Sequence, residues 1–176
     1  MQIGYTFLEQ ITMNLYAFYL GGKATNANIE VHDVVFAFGN SVEDCYEQCR
    51  QKWFGTLDGL HIDAWNLISF VDGFRVNAIR SNLLVVDEQK AKKLYFVNTG
   101  MSLPNALSEE HKSAFLIASS EEEAKNRAKL ELNFDLPDFH VDNIISMTEM
   151  DERFRLVLTS APSGLESKPT ACYIQI

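Results

Sequence analysis

The strongest constraint on the fold of this chain is an internal repeat. Residues 15–65 slide onto residues 94–144 at an offset of 79 with no gap, and thirteen of the fifty-one positions are identical. Unrelated sequences agree at roughly 6% of positions, which would give about three. The identities are Leu15/Leu94, Tyr16/Tyr95, Gly21/Gly100, Asn26/Asn105, Ala27/Ala106, Glu30/Glu109, His32/His111, Phe36/Phe115, Ser41/Ser120, Glu43/Glu122, Leu57/Leu136, His61/His140 and Asp63/Asp142. All four histidines of the chain fall among them as two matched pairs. With one added residue, Phe74-Arg75 also meets Phe154-Arg155. A period of this length marks a duplicated structural unit.

Each copy checks the reading of the other. Leu15–Gly21 is apolar and aromatic and runs into Gly21-Gly22, a strand followed by a loop. His32–Phe38 is a second strand. Ser41-Val42-Glu43-Asp44 has the form of a helix start, with Ser41 placed to accept from the Asp44 amide. Ser120-Glu121-Glu122-Glu123 repeats it with more acid at the positive helix end. Leu60–Val71, a turn at Asp72-Gly73 and Phe74–Ile79 complete copy one. Phe139–Met150, a turn near Asp151-Glu152 and Phe154–Thr159 complete copy two. The expected class is α+β: two tandem β-β-α-β-β modules of β-grasp (ubiquitin-like roll) type, packed on each other, each with one helix across a four-stranded sheet. Residues 1–12 read as an extension, with Met13 as the natural start. Residues 13–80 are the first module and 81–93 a connector. Residues 94–176 are the second module, with a last strand at Ala171–Ile176 that finishes one of the sheets.

Composition narrows the function classes. Hydrophobic residues make up 47% of the chain and charged residues 22%, which supports a packed core. No apolar run approaches the ~20 residues of a spanning helix, and the first residues lack the form of a secretory signal. The net charge of −9 is spread evenly, without the basic stripe of a nucleic-acid binder. Lys90–Lys93 reads as a solvated connector. Three cysteines, an odd count, fit a reducing cytoplasm. Cys45 and Cys49 lie on one helical face with Val42 and Trp53, and copy two puts Ala124 and Ala128 in their places, so the two thiols read as core.

The run Leu15-Tyr16-Ala17-Phe18-Tyr19-Leu20-Gly21-Gly22-Lys23, then Asn26 through Asp33, Lys52-Trp53-Phe54-Gly55 and Leu60-His61-Ile62-Asp63-Ala64-Trp65 resembles the bacterial domain-of-unknown-function family numbered 1543. The likeness extends over nearly the whole chain from Met13. It implies a bacterial source and a small protein without an established activity, and it carries over no catalytic residue.

The residues that carry chemistry are the repeated ones. Glu30 and His32 stand two apart at a strand entrance, and His61 and Asp63 two apart on another strand, so each pair shares a face. Two imidazoles and two carboxylates form a ligand set for zinc or another divalent ion, and Glu109, His111, His140 and Asp142 repeat it. The reading the sequence favours for these residues is as hydrogen-bond ties at strand ends, which a duplicated fold needs twice; the metal set comes second and an acid–base pair in each copy last. Asn26 and Asn105 suit a left-handed turn, with a ligand contact as the lesser alternative. Gly21-Gly22-Lys23 fails as a phosphate loop, because Ala17 stands where glycine is required and no Ser or Thr follows the lysine. No nucleophile motif is present. The sequence therefore leans towards a non-catalytic binding or assembly module in the cytoplasm. Its partner is a protein or small ligand, and self-association through a strand such as Leu15–Leu20 is an option. No motif demands a cofactor, and a divalent metal is the one the residues admit. The alternative is a metal-dependent hydrolase or related enzyme that uses the duplicated sets.

Overall fold

The computed structural model describes residues 12–81, 92–132, 138–147, 150–162, 164–166 and 168–176. The expected extension, apart from Thr12, and most of the connector, including Lys90, lie outside the described residues. The elements run β1 (Thr12–Gly22), β2 (Val31–Gly39), a 3-10 turn (Glu43–Cys45), α1 (Tyr46–Lys52), β3 (His61–Leu67), β4 (Phe70–Val71), β5 (Phe74–Arg80), β6 (Lys93–Ser102), β7 (Glu109–Ala118), α2 (Glu121–Glu131), β8 (Phe139–Ser146), β9 (Phe154–Ser160) and β10 (Thr170–Gln175). The fold is α+β and dominated by strands. Among the described residues the strands form two sheets and every pairing is antiparallel.

In the first sheet β1 lies between β2 and β3; in the second β6 lies between β7 and β8. The flanking strands run the same way, so each needs a crossover, and α1 or α2 supplies it. Alternation along β1 sends Tyr16, Phe18 and Leu20 to the helix side, where they pack with Cys45, Cys49 and Trp53. Tyr95 and Val97 of β6 meet Ala124 and Ala128 in the same way. The opposite faces of the two sheets meet in one shared core. It joins Leu15, Ala17, Phe36 and Phe38 to Leu94, Phe96 and Ile117, with the Phe36 and Phe96 rings edge to face at 5.2 Å. The layers run helix, sheet, sheet, helix.

The second helix starts as the sequence suggests, capped by Ser120, whereas the first opens as the 3-10 turn after Val42 and becomes α1 only at Tyr46. The Ser120 side chain accepts from Glu123 N, and the Asp44 amide lies 3.4 Å from Ser41 Oγ. Cys45 and Cys49 are fully buried, and desolvation pushes both thiols up to about 12, so they pack as neutral apolar groups. The Asp72-Gly73 turn places both residues at positive φ, +51° and +75°. That conformation lets Asp72 Oδ2 accept from Ile117 N at 2.7 Å and from Arg127 at 2.6 Å, fastening the first half to the second.

Two expectations are corrected. A β-grasp-type roll closed within each copy, with four strands under one helix, does not form. The fourth strands β5 and β9 pair with each other along seven positions, from Phe74↔Ser160 to Arg80↔Phe154. Of β1, only Thr12 and Met13 pair with β5. Strand periodicity specifies which face is buried but not which strand lies alongside, and two equivalent apolar strands satisfy each other's backbone as well as their own sheets would. Second, Leu15–Leu20 is no exposed edge, because β1 is hydrogen-bonded on both sides. The last strand does finish a sheet: β10 pairs with β3.

Candidate functional site: two His/carboxylate quartets

A glycine lies at the centre of each quartet. Gly21 of β1 is paired with His32 on one side and His61 on the other. Gly100 of β6 is paired with His111 and His140. Residues directly opposite across a sheet put their side chains on the same face, so each glycine separates two imidazoles. Any larger residue there would collide with them. A Cβ on Gly21 would stand 2.6 Å from His61 Nε2 and 2.7 Å from Asp63 Oδ2; on Gly100 it would stand 2.8 Å from Asp142 Oδ2 and 2.9 Å from His140 Nε2.

The aspartate arrives through a β-bulge. The β1–β3 register passes from Tyr19↔Ala64 to Leu20↔Ile62, leaving Asp63 as the extra residue. The β6–β8 register passes from Asn98↔Asn143 to Thr99↔Val141, leaving Asp142. A bulge re-aims a side chain locally, and here it turns a carboxylate towards the imidazoles. The glutamate comes from the entrance of the neighbouring strand, two residues before its histidine.

The donor atoms then bracket one another. In the first quartet His32 Nε2 lies 3.8 Å from Glu30 Oε2 and 3.5 Å from Asp63 Oδ2. His61 Nε2 lies 3.3 Å from Glu30 Oε1 and 3.4 Å from Asp63 Oδ1. In the second, His111 Nε2 lies 3.7 Å from Glu109 and 3.6 Å from Asp142, and His140 Nε2 lies 3.7 Å and 2.9 Å from the same two carboxylates. Each carboxylate spans both imidazoles. Four donors about 2.0–2.2 Å from a tetrahedral ion are themselves roughly 3.3–3.6 Å apart. Most of the observed separations lie in or just above that range. As the side chains stand, no three of them already close on a metal-sized point among the described residues. The pairwise spacings approach those of a ligand set, but the donors do not converge on a common point.

Proton placement sharpens the chemistry. His61 Nδ1 is 2.8 Å from the Gly59 carbonyl, and His140 Nδ1 is 3.0 Å from the Asp138 carbonyl. A carbonyl only accepts, so Nδ1 carries the proton in both rings, an assignment made from the network. In a neutral ring Nε2 then presents a lone pair to two carboxylates, an arrangement that a proton, a bridging water or a cation relieves. The carbonyl bond is also the outer-shell contact that fixes a metal-ligating histidine. At His140 that bond and the nearby Asp142 and Glu109 raise the imidazole above its ordinary value.

The quartets differ in their neighbours. Tyr19 stacks on His32, with centroids 5.1 Å apart and planes 5° from parallel. Its phenol is held above the usual range by burial and by Asp63. Tyr173 of β10 covers His61 at 4.5 Å, so the His61 side chain is only 5% exposed. The second quartet has Asn98 in place of Tyr19, donating to Asp142 at 3.3 Å and accepting from Ser113 at 2.8 Å. No described strand covers β8, and the His140 side chain is 47% exposed.

All eight His, Asp and Glu candidates thus gather, four by four. Asn26 and Asn105 do not join them. They occupy tight turns at φ +69° and +66°, closed by Ala27 N to Ala24 O and Ala106 N to Leu103 O, both 3.1 Å. Pro104 before Asn105 suits the same turn. Sequence reasoning missed the parts played by Gly21 and Gly100, although both were among the repeated identities, and missed Tyr19 and Tyr173 altogether.

Comparison with known proteins gives relatives without a stated activity. Residues 27–78, from the first turn to β5, match the profile described as Domain of Unknown Function (DUF1543). The chain is similar to a solved structure described as the crystal structure of a protein Il1583 from Idiomarina loihiensis. Identity is 30% over 92% of this chain and 96% of that one, with a TM-score of 0.66. No curated protein matches. By the profile match and by this near full-length likeness, the chain belongs to the DUF1543 family.

Proposed function

We propose that this protein is a non-catalytic binding module whose bound species are divalent metal ions, one in each quartet, zinc being the type its ligands suit. The reading rests on one observation: two imidazole Nε2 atoms and two carboxylates, brought by the two strands that flank β1, stand at separations near those of a ligand set, around a glycine of β1 that keeps the space clear. Two neutral imidazoles and two carboxylates compensate a divalent ion fully, which removes the lone-pair conflict at His61 and His140.

The offset of 79 extends this support. Register, bulge, positive-φ turn, Nδ1–carbonyl bond and all four donor pairs of one quartet recur in the other. We take this as the mark of duplication of a strand-strand-helix-strand unit, with halves at 13–80 and 94–176, in a cytoplasmic bacterial protein.

The test is elemental analysis and calorimetric titration of the purified chain. Two zinc ions per chain are expected, falling to none in a His61→Ala, His140→Ala double variant. Failure of the intact, folded chain to bind zinc at either quartet would end this reading and leave the histidines as structural ties.

A further inference from the structure

We infer that the cavity between the two sheets binds a small uncharged aromatic molecule that donates one N–H or O–H hydrogen bond to Asn66. Binding there needs no metal and stands apart from the quartets.

The cavity follows from the inner face of the first sheet. Ala17 of β1 lies opposite Asn66 of β3, and Tyr19 lies opposite Ala64, so these four side chains share the face that meets the second sheet. At the offset of 79, Phe96 stands where Ala17 does, Asn143 where Ala64 does and Ile145 where Asn66 does, and Phe96 and Ile145 are again paired. Two alanines thus thin one wall where the other carries larger groups. The space left is about 460 Å³, an ordinary size for a small-molecule site. Phe96 and Phe115, with ring centroids 5.3 Å apart, line it from the second sheet. Packed sheets stand about 10 Å apart, so side chains trimmed from one of them leave a slot for a flat ring. The way in passes Tyr19, 45% exposed, from a neighbouring cleft of about 470 Å³ that shares Tyr19, Val34 and Phe96 with the cavity.

Asn66 supplies the specificity. It lines the cavity, and its Oδ1 is shut off from solvent without a hydrogen-bond donor. A buried acceptor left unpaired destabilises the folded chain. The equivalent strand position holds the apolar Ile145, so the strand pairing itself does not call for an amide there. An N–H or O–H brought in by a ligand removes the deficit, after a small turn of the amide about its soft terminal torsion. Other polar groups of the wall are already engaged: Ser113 donates to Asn98, which donates to Asp142.

The same walls decide the charge of the ligand. No Lys or Arg lines the cavity or the neighbouring cleft, so an anion finds no counter-charge, and Asp33 in the cleft repels it. A cation buried beside a single neutral acceptor loses more hydration than it regains. An uncharged ring with one donor satisfies both constraints.

The experiment titrates the full chain, treated with chelator, by calorimetry with indole, benzofuran and benzoate. Benzofuran keeps the shape of indole and lacks its N–H. One indole per chain is expected, bound at least tenfold tighter than benzofuran, with no detectable uptake of benzoate. Asn66→Ile, which copies the other half, should bring indole and benzofuran to equal affinity. Ala17→Phe should abolish indole binding; Ala64→Leu fills the same space from β3 and should abolish it too if Ala17→Phe does not fold. No indole binding, benzofuran binding equal to indole in the unmodified chain, benzoate binding as tight as indole, or indole binding retained in a folded filling variant would overturn the inference. None of these results bears on zinc at the quartets.

Discussion

The two quartets carry the same four residue types in the same register, yet one is roofed and the other is open. β10 lies along β3 and sets Tyr173 on His61, whereas β8 has no described neighbour on that side. Tyr19 stacks on the first quartet, and Asn98 hydrogen-bonds to the second. The register and the four donor pairings recur despite these differences, although single separations shift, His61–Asp63 at 3.4 Å becoming His140–Asp142 at 2.9 Å. The donor set is therefore defined by strand pairing and the bulge, and the surroundings govern access.

The comparison breaks most severely at the glycines. Gly21→Ala should lower zinc affinity at the first quartet by about 100-fold or more and leave one full equivalent on the second; Gly100→Ala should do the reverse. Calorimetry reads both, and retention of two tight equivalents in either variant would refute the shared geometry. Cutting the tie between halves tests their independence. Asp72→Asn weakens a charge-assisted pair and should cost about 2 kcal/mol in denaturant unfolding, with zinc stoichiometry unchanged. The roof sharpens the contrast. Zinc should leave the second quartet roughly tenfold faster than the first when challenged with a chelator, and Tyr173→Ala should bring the two rates together. Cys49→Ala copies the residue already used at Ala128, so the loss should be about 1 kcal/mol in the same unfolding assay.

The smallest effect is electrostatic. Because His140 is raised in the folded chain, its contribution to stability in the metal-free protein is fully present below the unfolded pKa. It is lost as pH rises through the folded one. Histidine NMR should place His140 above 6.5 in the metal-free chain, and zinc should remove its titration altogether. A value at or below 6.5 would contradict the hydrogen bond to Asp138.

Much of this was legible in the sequence for a physical reason. Pairs such as His61 and Asp63 stand two apart, so strand geometry alone puts them on one face, and the offset of 79 located the second set. Ser41 and Ser120 announced the helix starts, and Cys45 and Cys49 against Ala124 and Ala128 marked core. The exchange of β5 with β9 was not legible, because backbone hydrogen bonds carry no residue signature. Nor was the bulge at Asp63, which adds one residue to a pattern that alternation reads as continuous. Tyr173 reached His61 only through the pairing of β10 with β3, more than a hundred residues apart.

The most direct measurement is a crystal structure of the zinc-loaded chain with anomalous scattering at the zinc edge. Two peaks are predicted, each about 2.0–2.2 Å from both imidazole Nε2 atoms and both carboxylates of one quartet, at positions equivalent under the offset of 79. Peaks elsewhere, or none at full zinc occupancy in solution, would contradict the account.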